Sequence, residues 1–100
     1  MRLLFKYIIL NIFCQRSNIV DNMTNEVEKV RQKIGIKIKL ERTKRGWSQE
    51  KLAELSFLSK TYINAVEKGT SSPSADTLIK IANAFEMELV DLINVEKVDL

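Results

Sequence analysis

The chain of 100 residues contains no histidine and one cysteine, Cys14. Without histidine it lacks the commonest general base and the commonest metal ligand. One cysteine forms neither an internal disulfide nor a zinc site, which fits a reducing cytoplasm. The sequence also shows no phosphate-binding loop, no nucleophile elbow and no paired catalytic carboxylates. We therefore expect no enzymatic activity, no cofactor and no metal.

Glycine and proline are also scarce, with three Gly and one Pro, while 45% of the residues are hydrophobic. This composition excludes a mostly disordered chain and suits a compact helical bundle. The length corresponds to one small domain. We therefore expect an all-α fold with a single core.

Charge is distributed unevenly along the chain, although the net charge is only +3. Residues 29–68 hold 11 Lys or Arg against 4 acidic residues, whereas residues 69–100 hold 2 against 6. A localised positive region is the electrostatic signature of a polyanionic partner such as nucleic acid. The acidic C-terminal third is unsuited to face phosphates.

No hydrophobic run is long enough to span a membrane. The apolar segment at residues 3–14 has 12 residues, and a span needs about 20. Three interpretations of residues 1–22 stay open: an upstream misreading with the biological start at Met23, an extra element that packs on the domain or forms a dimer contact, or a membrane anchor. The third is the least favoured. We divide the chain into an extension (1–22), a domain (23–94) and a tail (95–100).

The hydrophobic spacing predicts five helices. The first is expected over residues 25–45, with Asn25 as its N-cap and Glu28 completing a capping box. Its buried stripe comprises Val27, Val30, Ile34 and Ile38. Gly35 within it indicates the close approach of another helix, because glycine costs about 1 kcal/mol in a helix. Gly46 is expected to end it.

Four shorter helices follow. Ser48, Ser59 and Ser74 are positioned to cap helices over residues 49–55, 60–68 and 75–85. A further short helix is expected between residues 87 and 93. The second helix has the apolar stripe Leu52, Ala53 and Leu55, and the third has Tyr62, Ile63 and Val66. The outer face of the third helix is polar, small or cationic, as in a helix that enters a major groove.

Two motifs in this stretch are specific. They are Gly-x-Ser-Gln-x-x-Leu-Ala at residues 46–53 and Tyr-Ile-x-x-x-Glu-Lys-Gly at residues 62–69. Together they resemble the helix-turn-helix of the lambda repressor/Cro-type domain, the XRE family of bacterial and phage regulators. The resemblance covers about 60 of the 100 residues and includes Ile34, Gly35, Ile38, Arg42, Pro73, Leu78, Ile81, Ala82 and Leu92.

The resemblance implies DNA binding through the third helix. Lys60, Thr61 and Asn64 are the best candidates for base contacts: Lys with guanine O6 and N7, Thr with a thymine methyl, Asn with adenine N6 and N7. The family position of Gln49 implies a phosphate contact and support for the third helix. The full set expected to bind DNA is Gln49, Ser59, Lys60, Thr61, Tyr62, Asn64, Ala65, Lys68, Thr70 and Ser71.

Four further residues have structural interpretations. Arg42 and Glu67 each lie one turn beyond a buried residue, and the resemblance places an ion pair at these positions. Trp47 is interpreted as a core residue. Phe57 departs from the family pattern, which often has glycine there; either the turn differs, or Phe57 gains more from burial than it loses in backbone strain.

The resemblance therefore predicts a transcriptional regulator that binds an inverted-repeat operator as a homodimer. Its partner would be double-stranded DNA, in the cytoplasm of a bacterium or of a phage-infected cell, and at the nucleoid when bound. Small members of this kind include restriction–modification controllers. The alternative is an antitoxin or adaptor whose main partner is another protein. The residues expected at the dimer interface are Leu89, Leu92, Ile93, Val95 and Val98.

Overall fold

A computed structural model describes the backbone of residues 13–100 and the side chains of residues 25–100. It contains α1 (Phe13–Lys44), α2 (Gln49–Ser56), α3 (Lys60–Lys68), α4 (Ala75–Ala84) and α5 (Leu89–Ile93). There is no strand within residues 13–100, and the predicted all-α fold is confirmed. None of the helices in this described part combines the length and apolarity needed to cross a bilayer.

All five helices contribute to one core. α1 packs on α3 and α5, α2 packs on α3 and α4, and α4 packs on α5. Full burial of one large aliphatic side chain contributes about 1.5–3 kcal/mol, so a small set of residues holds the bundle together. The buried apolar residues are Ile38, Leu52, Ala53, Ile63, Val66, Ile81, Ala82, Phe85 and Leu92.

The short helices begin where their serines can cap them. The side chains of Ser48, Ser59 and Ser74 each accept a hydrogen bond from the backbone N–H three residues later, at 3.0–3.2 Å. Such a cap satisfies a donor that the helix itself leaves unpaired. Gly46 and Gly69 have left-handed φ values of 72° and 77°, after the ends of α1 and α3. Local sequence therefore sets most of these boundaries.

α1 and α3 cross closely at Gly35. A Cβ atom at Gly35 would lie 2.5 Å from the carbonyl oxygen of Val66 and 2.6 Å from that of Glu67. Real Cβ atoms do not approach backbone oxygens this closely, so any larger residue would push α3 away. The glycine is present for close packing, as its position in the sequence indicated.

The first helix begins earlier than expected. α1 starts at Phe13, so Asn25 lies within the helix and does not cap it. The reason is that no proline or glycine interrupts residues 13–34, and each residue added to a formed helix gains a hydrogen bond. The boundary drawn between residues 22 and 23 therefore falls inside α1. Three interpretations were given for residues 1–22. Of these residues, 1–12 lie outside the part of the chain that the structure describes.

The expected buried stripe of α1 is correct only in its second half. Ile38 is fully buried and Ile34 packs against the core, but Val27 is 55% exposed and Val30 is 43% exposed. A helix of 32 residues is about 48 Å long, longer than the short helices packed against it. The earlier part of the apolar stripe therefore has no core to face.

Two further apolar assignments need correction. In α2 the buried face consists of Leu52, Ala53 and Ser56, whereas Leu55 is partly exposed. The Ser56 hydroxyl is satisfied in the core because it donates to the carbonyl oxygen of Leu52 at 2.6 Å. Leu92 is fully buried in the core of its own chain, which corrects its assignment to a dimer interface.

The turn between α2 and α3 contains Phe57 in a left-handed conformation, with φ 58° and ψ 39°. The backbone expected for glycine is therefore kept, and the side chain is 86% exposed rather than buried. Neither of the two explanations offered for Phe57 holds. The conformation is imposed by the chain reversal, in which the N–H of Leu58 donates to the carbonyl oxygen of Ala53 at 2.9 Å.

We predict that Phe57→Gly stabilises the protein by about 1 kcal/mol, because a non-glycine residue in the left-handed region costs about 1–2 kcal/mol. The exposed ring has little burial to lose. Lys51→Gly, at an exposed position within α2, is the matched control and should destabilise by about 1 kcal/mol. Urea denaturation of both variants tests this, and a loss of stability in Phe57→Gly would contradict it.

Candidate nucleic-acid interface

The outer face of α3 carries a polar stripe. Lys60, Asn64 and Lys68 are spaced four residues apart and therefore lie above one another on one face of the helix. Lys60 and Lys68 are exposed and Asn64 is half-buried. Ile63 and Val66 are buried in the core. The buried side fixes the helix on the domain and leaves the polar stripe on the surface.

The other residues expected in the interface surround this stripe. Thr61 is exposed and Ala65 is half-buried on α3, and Ser59 precedes the helix as its N-cap. After the helix, Thr70 is exposed and Ser71 is half-buried. The Thr70 hydroxyl donates to the carbonyl oxygen of Ala65 at 3.2 Å, which ties the following loop to the end of α3.

Tyr62 faces away from this surface. Its half-buried ring packs against the core, and its hydroxyl donates to Thr77 Oγ1 on α4 at 3.3 Å. The Ser74 hydroxyl donates to the same Thr77 oxygen at 3.1 Å. The inward packing of the ring agrees with the sequence-based interpretation. In this structure the hydroxyl connects α3 to α4, which is a different use from the DNA contact expected of Tyr62.

Arg42 of α1 and Glu67 of α3 form a buried, bidentate ion pair. Arg42 Nε donates to Glu67 Oε2 at 2.6 Å, and Nη2 donates to Oε1 at 3.0 Å. Nη1 donates to the carbonyl oxygen of Trp47 at 2.7 Å. The hydrogen bonds to Glu67 raise the pKa of Arg42, so the guanidinium stays charged. A planar guanidinium with both of its edges bonded fixes α3 against α1 in one orientation.

Gln49, the first residue of α2, connects this pair to the polar stripe. Its side-chain Nε2 donates to Glu67 Oε1 at 3.0 Å and to Asn64 Oδ1 at 3.2 Å. The supporting role that the resemblance implies for Gln49 is thus visible in its contacts with α3. Because both hydrogens of this amide are used within the domain, a phosphate at the start of α2 would meet backbone N–H groups instead.

Glu50 was not expected in the site. Its carboxylate contacts Lys60 Nζ at 2.7 Å, and both side chains are largely exposed. The hydrogen bond from Lys60 holds the pKa of Glu50 below its usual range. Spacing along the chain does not predict this contact, because it depends on how α2 and α3 are oriented. Two successive residues of α2, Gln49 and Glu50, therefore each hold a candidate base-reading residue of α3.

Trp47 lies between α1 and α2, at the edge of the core. Its ring stacks on Phe85 with 5.7 Å between ring centroids and an interplanar angle of 22°. The guanidinium of Arg45 lies over both rings, at 5.8 Å from Trp47 and 4.7 Å from Phe85. Trp47 is thus engaged in packing, consistent with its interpretation as a core residue, and is not presented for base stacking.

The fold and this surface define a helix-turn-helix domain: two short helices joined by a tight turn, with the polar face of the second directed outward. The family model described as helix-turn-helix matches residues 38–92, which is more than half of the chain. The chain therefore belongs to the XRE-type helix-turn-helix family of DNA-binding transcriptional regulators, which are not enzymes.

Similar proteins agree with this assignment. The control protein C.BamHI of Bacillus amyloliquefaciens is 39% identical over 77 residues, which cover 72% of this chain and 86% of the relative. The crystal structure of the restriction–modification controller protein C.AhdI from Aeromonas hydrophila matches with a TM-score of 0.60 and 38% identity. That match covers 61% of this chain and 92% of C.AhdI.

A longer relative shares only this domain. The HTH-type transcriptional regulator SlrR of Bacillus subtilis is 38% identical over 64 residues, which are 63% of this chain and 42% of SlrR. The chain therefore spans less than half the length of SlrR.

We predict that Glu67→Ala destabilises the protein by about 3–5 kcal/mol, because Arg42 would stay buried without its partner. Arg42→Ala and the double variant complete a thermodynamic cycle measured by thermal or urea unfolding. The double variant should lose much less than the sum of the two single losses. Lys44→Ala is the control. It breaks the pair of the exposed Lys44 with Glu41 and should lower the free energy of unfolding by less than about 1 kcal/mol. Strictly additive losses for Arg42 and Glu67 would contradict the coupling.

Proposed function

We propose that this protein is a sequence-specific regulator that binds an inverted-repeat operator in double-stranded DNA as a homodimer. The observation that carries the proposal is the polar stripe of α3, exposed on one side and fixed on the other by the Arg42–Glu67 pair. The stripe lies within the basic part of the chain, residues 29–68. A basic surface around a rigid, outward-facing helix suits the major groove of DNA.

The side chains of α3 divide between two tasks. Lys60, Thr61 and Asn64 occupy the first half of the helix, where helix-turn-helix proteins contact base edges. Lys68, Thr70 and Ser71 follow at its end and suit phosphate oxygens. Phosphate contacts position a protein on the duplex and base contacts specify the sequence. Lys60 must exchange its contact with Glu50 for a contact with DNA, which favours sites that offer an acceptor to this ammonium.

Dimerisation is proposed through the surface that includes α5. Val90 and Ile93 of α5 are 70% and 41% exposed, and Leu40 of α1 is 55% exposed. Leu40 and Val98 line one groove between the end of α1 and the chain after α5. With Leu92 removed from the interface, exposed Val90 and Leu40 supply the missing apolar area. This acidic end of the chain suits contact with a second copy better than contact with phosphates.

A two-fold dimer explains how so small a domain reaches useful specificity, because it doubles the base contacts. Its half-sites would lie about 34–36 Å apart, one turn of the DNA helix. The similarity to C.BamHI and C.AhdI supports a controller-like role within this class. We place its action in the cytoplasm, at the nucleoid when it is bound to DNA.

One observation favours the alternative, an adaptor or antitoxin with a protein partner. Val27, Val30 and Ile34 of α1, with Pro73, line a mostly apolar groove. Val27 and Val30 of this groove belong to the part of α1 that has no core to face, and Ile34 lies at its border with the core. A protein partner of this kind would bury the exposed Val27 and Val30.

The DNA-binding proposal predicts different effects for two lysines of one stripe. Lys60→Ala should relax the preference at one operator base pair, at a cost of about 1–3 kcal/mol on the matching base. Lys68→Ala should weaken binding to all sequences about equally and reduce the log–log salt slope by about 0.9. Fluorescence anisotropy with an operator panel at several salt concentrations measures both. If Lys60→Ala changed neither affinity nor preference, α3 would not be the reading helix.

The assembly proposal predicts that the protein sediments as a dimer at tens of micromolar and on its operator. Ile93→Glu should yield monomers because it places a charge on the proposed surface at α5. Val27→Glu is the matched control, since it puts the same charge on another exposed apolar residue, in the groove of α1. Dimers that resist Ile93→Glu and dissociate with Val27→Glu would move the interface to α1. A wild-type protein that stayed monomeric on its operator would exclude the dimer.

A further inference from the structure

The hydrogen bonds around Glu67 fix the direction in which the neighbouring side-chain amides point. A carboxylate only accepts hydrogen bonds, so the group of Gln49 that faces Glu67 Oε1 at 3.0 Å is its NH2 group. Arg42 donates to both oxygens of the same carboxylate and holds it in place. The orientation of the Gln49 amide is therefore determined by charge and not by choice between two similar rotamers.

The orientation of the Asn64 amide is fixed in turn by Gln49. The second hydrogen of Gln49 Nε2 points to Asn64 at 3.2 Å, and a donor requires an acceptor opposite. Asn64 must therefore turn its Oδ1 towards α2 and its NH2 group away. Among residues 25–100, whose side chains the structure describes, no acceptor takes a hydrogen bond from Asn64 Nδ2. This amide is left as a donor on the same face of α3 as Lys60.

We propose that Gln49 is a positioning residue that makes Asn64 read a guanine and not an adenine. This inference rests on the proposed function, in which α3 lies in the major groove. An asparagine recognises adenine by donating to N7 and accepting from the N6 amino group at the same time. With Oδ1 directed at Gln49, only the donor half remains. Guanine offers two neighbouring acceptors, O6 and N7, to such a donor.

Asn64 Oδ1 retains a second lone pair, but the position of this oxygen limits its use. It lies beside Gln49, which is half-buried, and Glu67, which is buried. To bond the N6 group of an adenine, this oxygen would have to accept from the base while it also accepts from Gln49 Nε2. Rotation of the amide to face adenine would leave a hydrogen of Gln49 without an acceptor in a partly dry site, which is costly. The network therefore selects against adenine.

The direct test is an operator panel with all four bases at each position, measured for the wild type, Asn64→Ala and Gln49→Met. Asn64→Ala identifies the base pair read by this residue, because preference is lost there. At that pair the wild type should prefer guanine over adenine. Gln49→Met keeps the side-chain length and removes the amide, which frees Asn64 to rotate. It should shift the ratio of affinities at that pair towards adenine by about tenfold, which corresponds to about 1.4 kcal/mol.

Lys51→Met is the matched control, because it is an exposed residue of α2 and should leave every preference unchanged. An adenine preference in the wild type at the pair identified by Asn64→Ala would overturn the inference. So would a Gln49→Met variant whose preference at that pair equals that of the wild type. A general loss of affinity in Gln49→Met with no shift between bases would show that Gln49 only supports the fold.

A second readout uses the free protein and separates this inference from the proposed function. In nuclear magnetic resonance spectra without DNA, the side-chain NH2 protons of Gln49 should exchange slowly with water and those of Asn64 quickly. Slow exchange at Asn64 would show that its amide points inward and would overturn the proposed orientation. If the orientation is found but the wild type binds no operator selectively, the proposed function fails and takes the guanine assignment with it.

Discussion

The contact between α1 and α3 determines which face of α3 reaches the surface. Its apolar part requires Gly35, because a side chain there would collide with backbone oxygens of α3 at 2.5–2.6 Å. Its polar part is the bidentate pair of Arg42 and Glu67. Close packing sets the distance between the two helices, and the planar fork of the guanidinium sets the position of α3 along and around its axis. Together they present one face of α3 outward.

A buried ion pair is an expensive way to hold two helices together. Desolvation of both charges offsets much of their attraction, and an apolar pair of similar size often stabilises a protein as well. An apolar pair, however, would not orient the hydrogen-bonding side chains around it. The Glu67 carboxylate determines which end of the Gln49 amide faces it, and Gln49 in turn determines which end of the Asn64 amide faces outward. The pair thus specifies the hydrogen-bonding pattern of the surface as well as the packing beneath it.

Much of the fold follows from local sequence. Serines at helix starts and glycines after helix ends act within a few residues, so the limits of α2, α3 and α4 were predicted to within one residue of those observed. The start of α1 was not, because nothing local stops a helix between residues 13 and 34. The exposure of Val27 also escaped the sequence pattern, since periodicity marks an apolar face but does not say how far the core extends.

In the candidate site, too, features set by local sequence were predicted and features set by the packing of helices were not. The outward face of α3 was predicted, because helical spacing and the buried residues Ile63 and Val66 fix it. The support that Gln49 gives α3 was also expected, but its particular hydrogen-bond partners and the role of Glu50 were not, since they depend on the angle between α2 and α3. Phe57 is the clearest example of a feature that the sequence alone did not predict. Its left-handed backbone is imposed by the turn, although the residue itself favours another conformation and stays exposed.

If the ion pair holds α3 in place, its loss must show in native-state amide hydrogen exchange of the Arg42→Met variant. This variant leaves the Glu67 carboxylate buried without its partner. We expect the amides of Ile63 and Val66 in α3 to lose protection through local opening, while those of Ile81 and Ala82 in α4 change much less. An equal loss in both helices, or no loss in α3, would show that the pair does not govern the position of the reading helix.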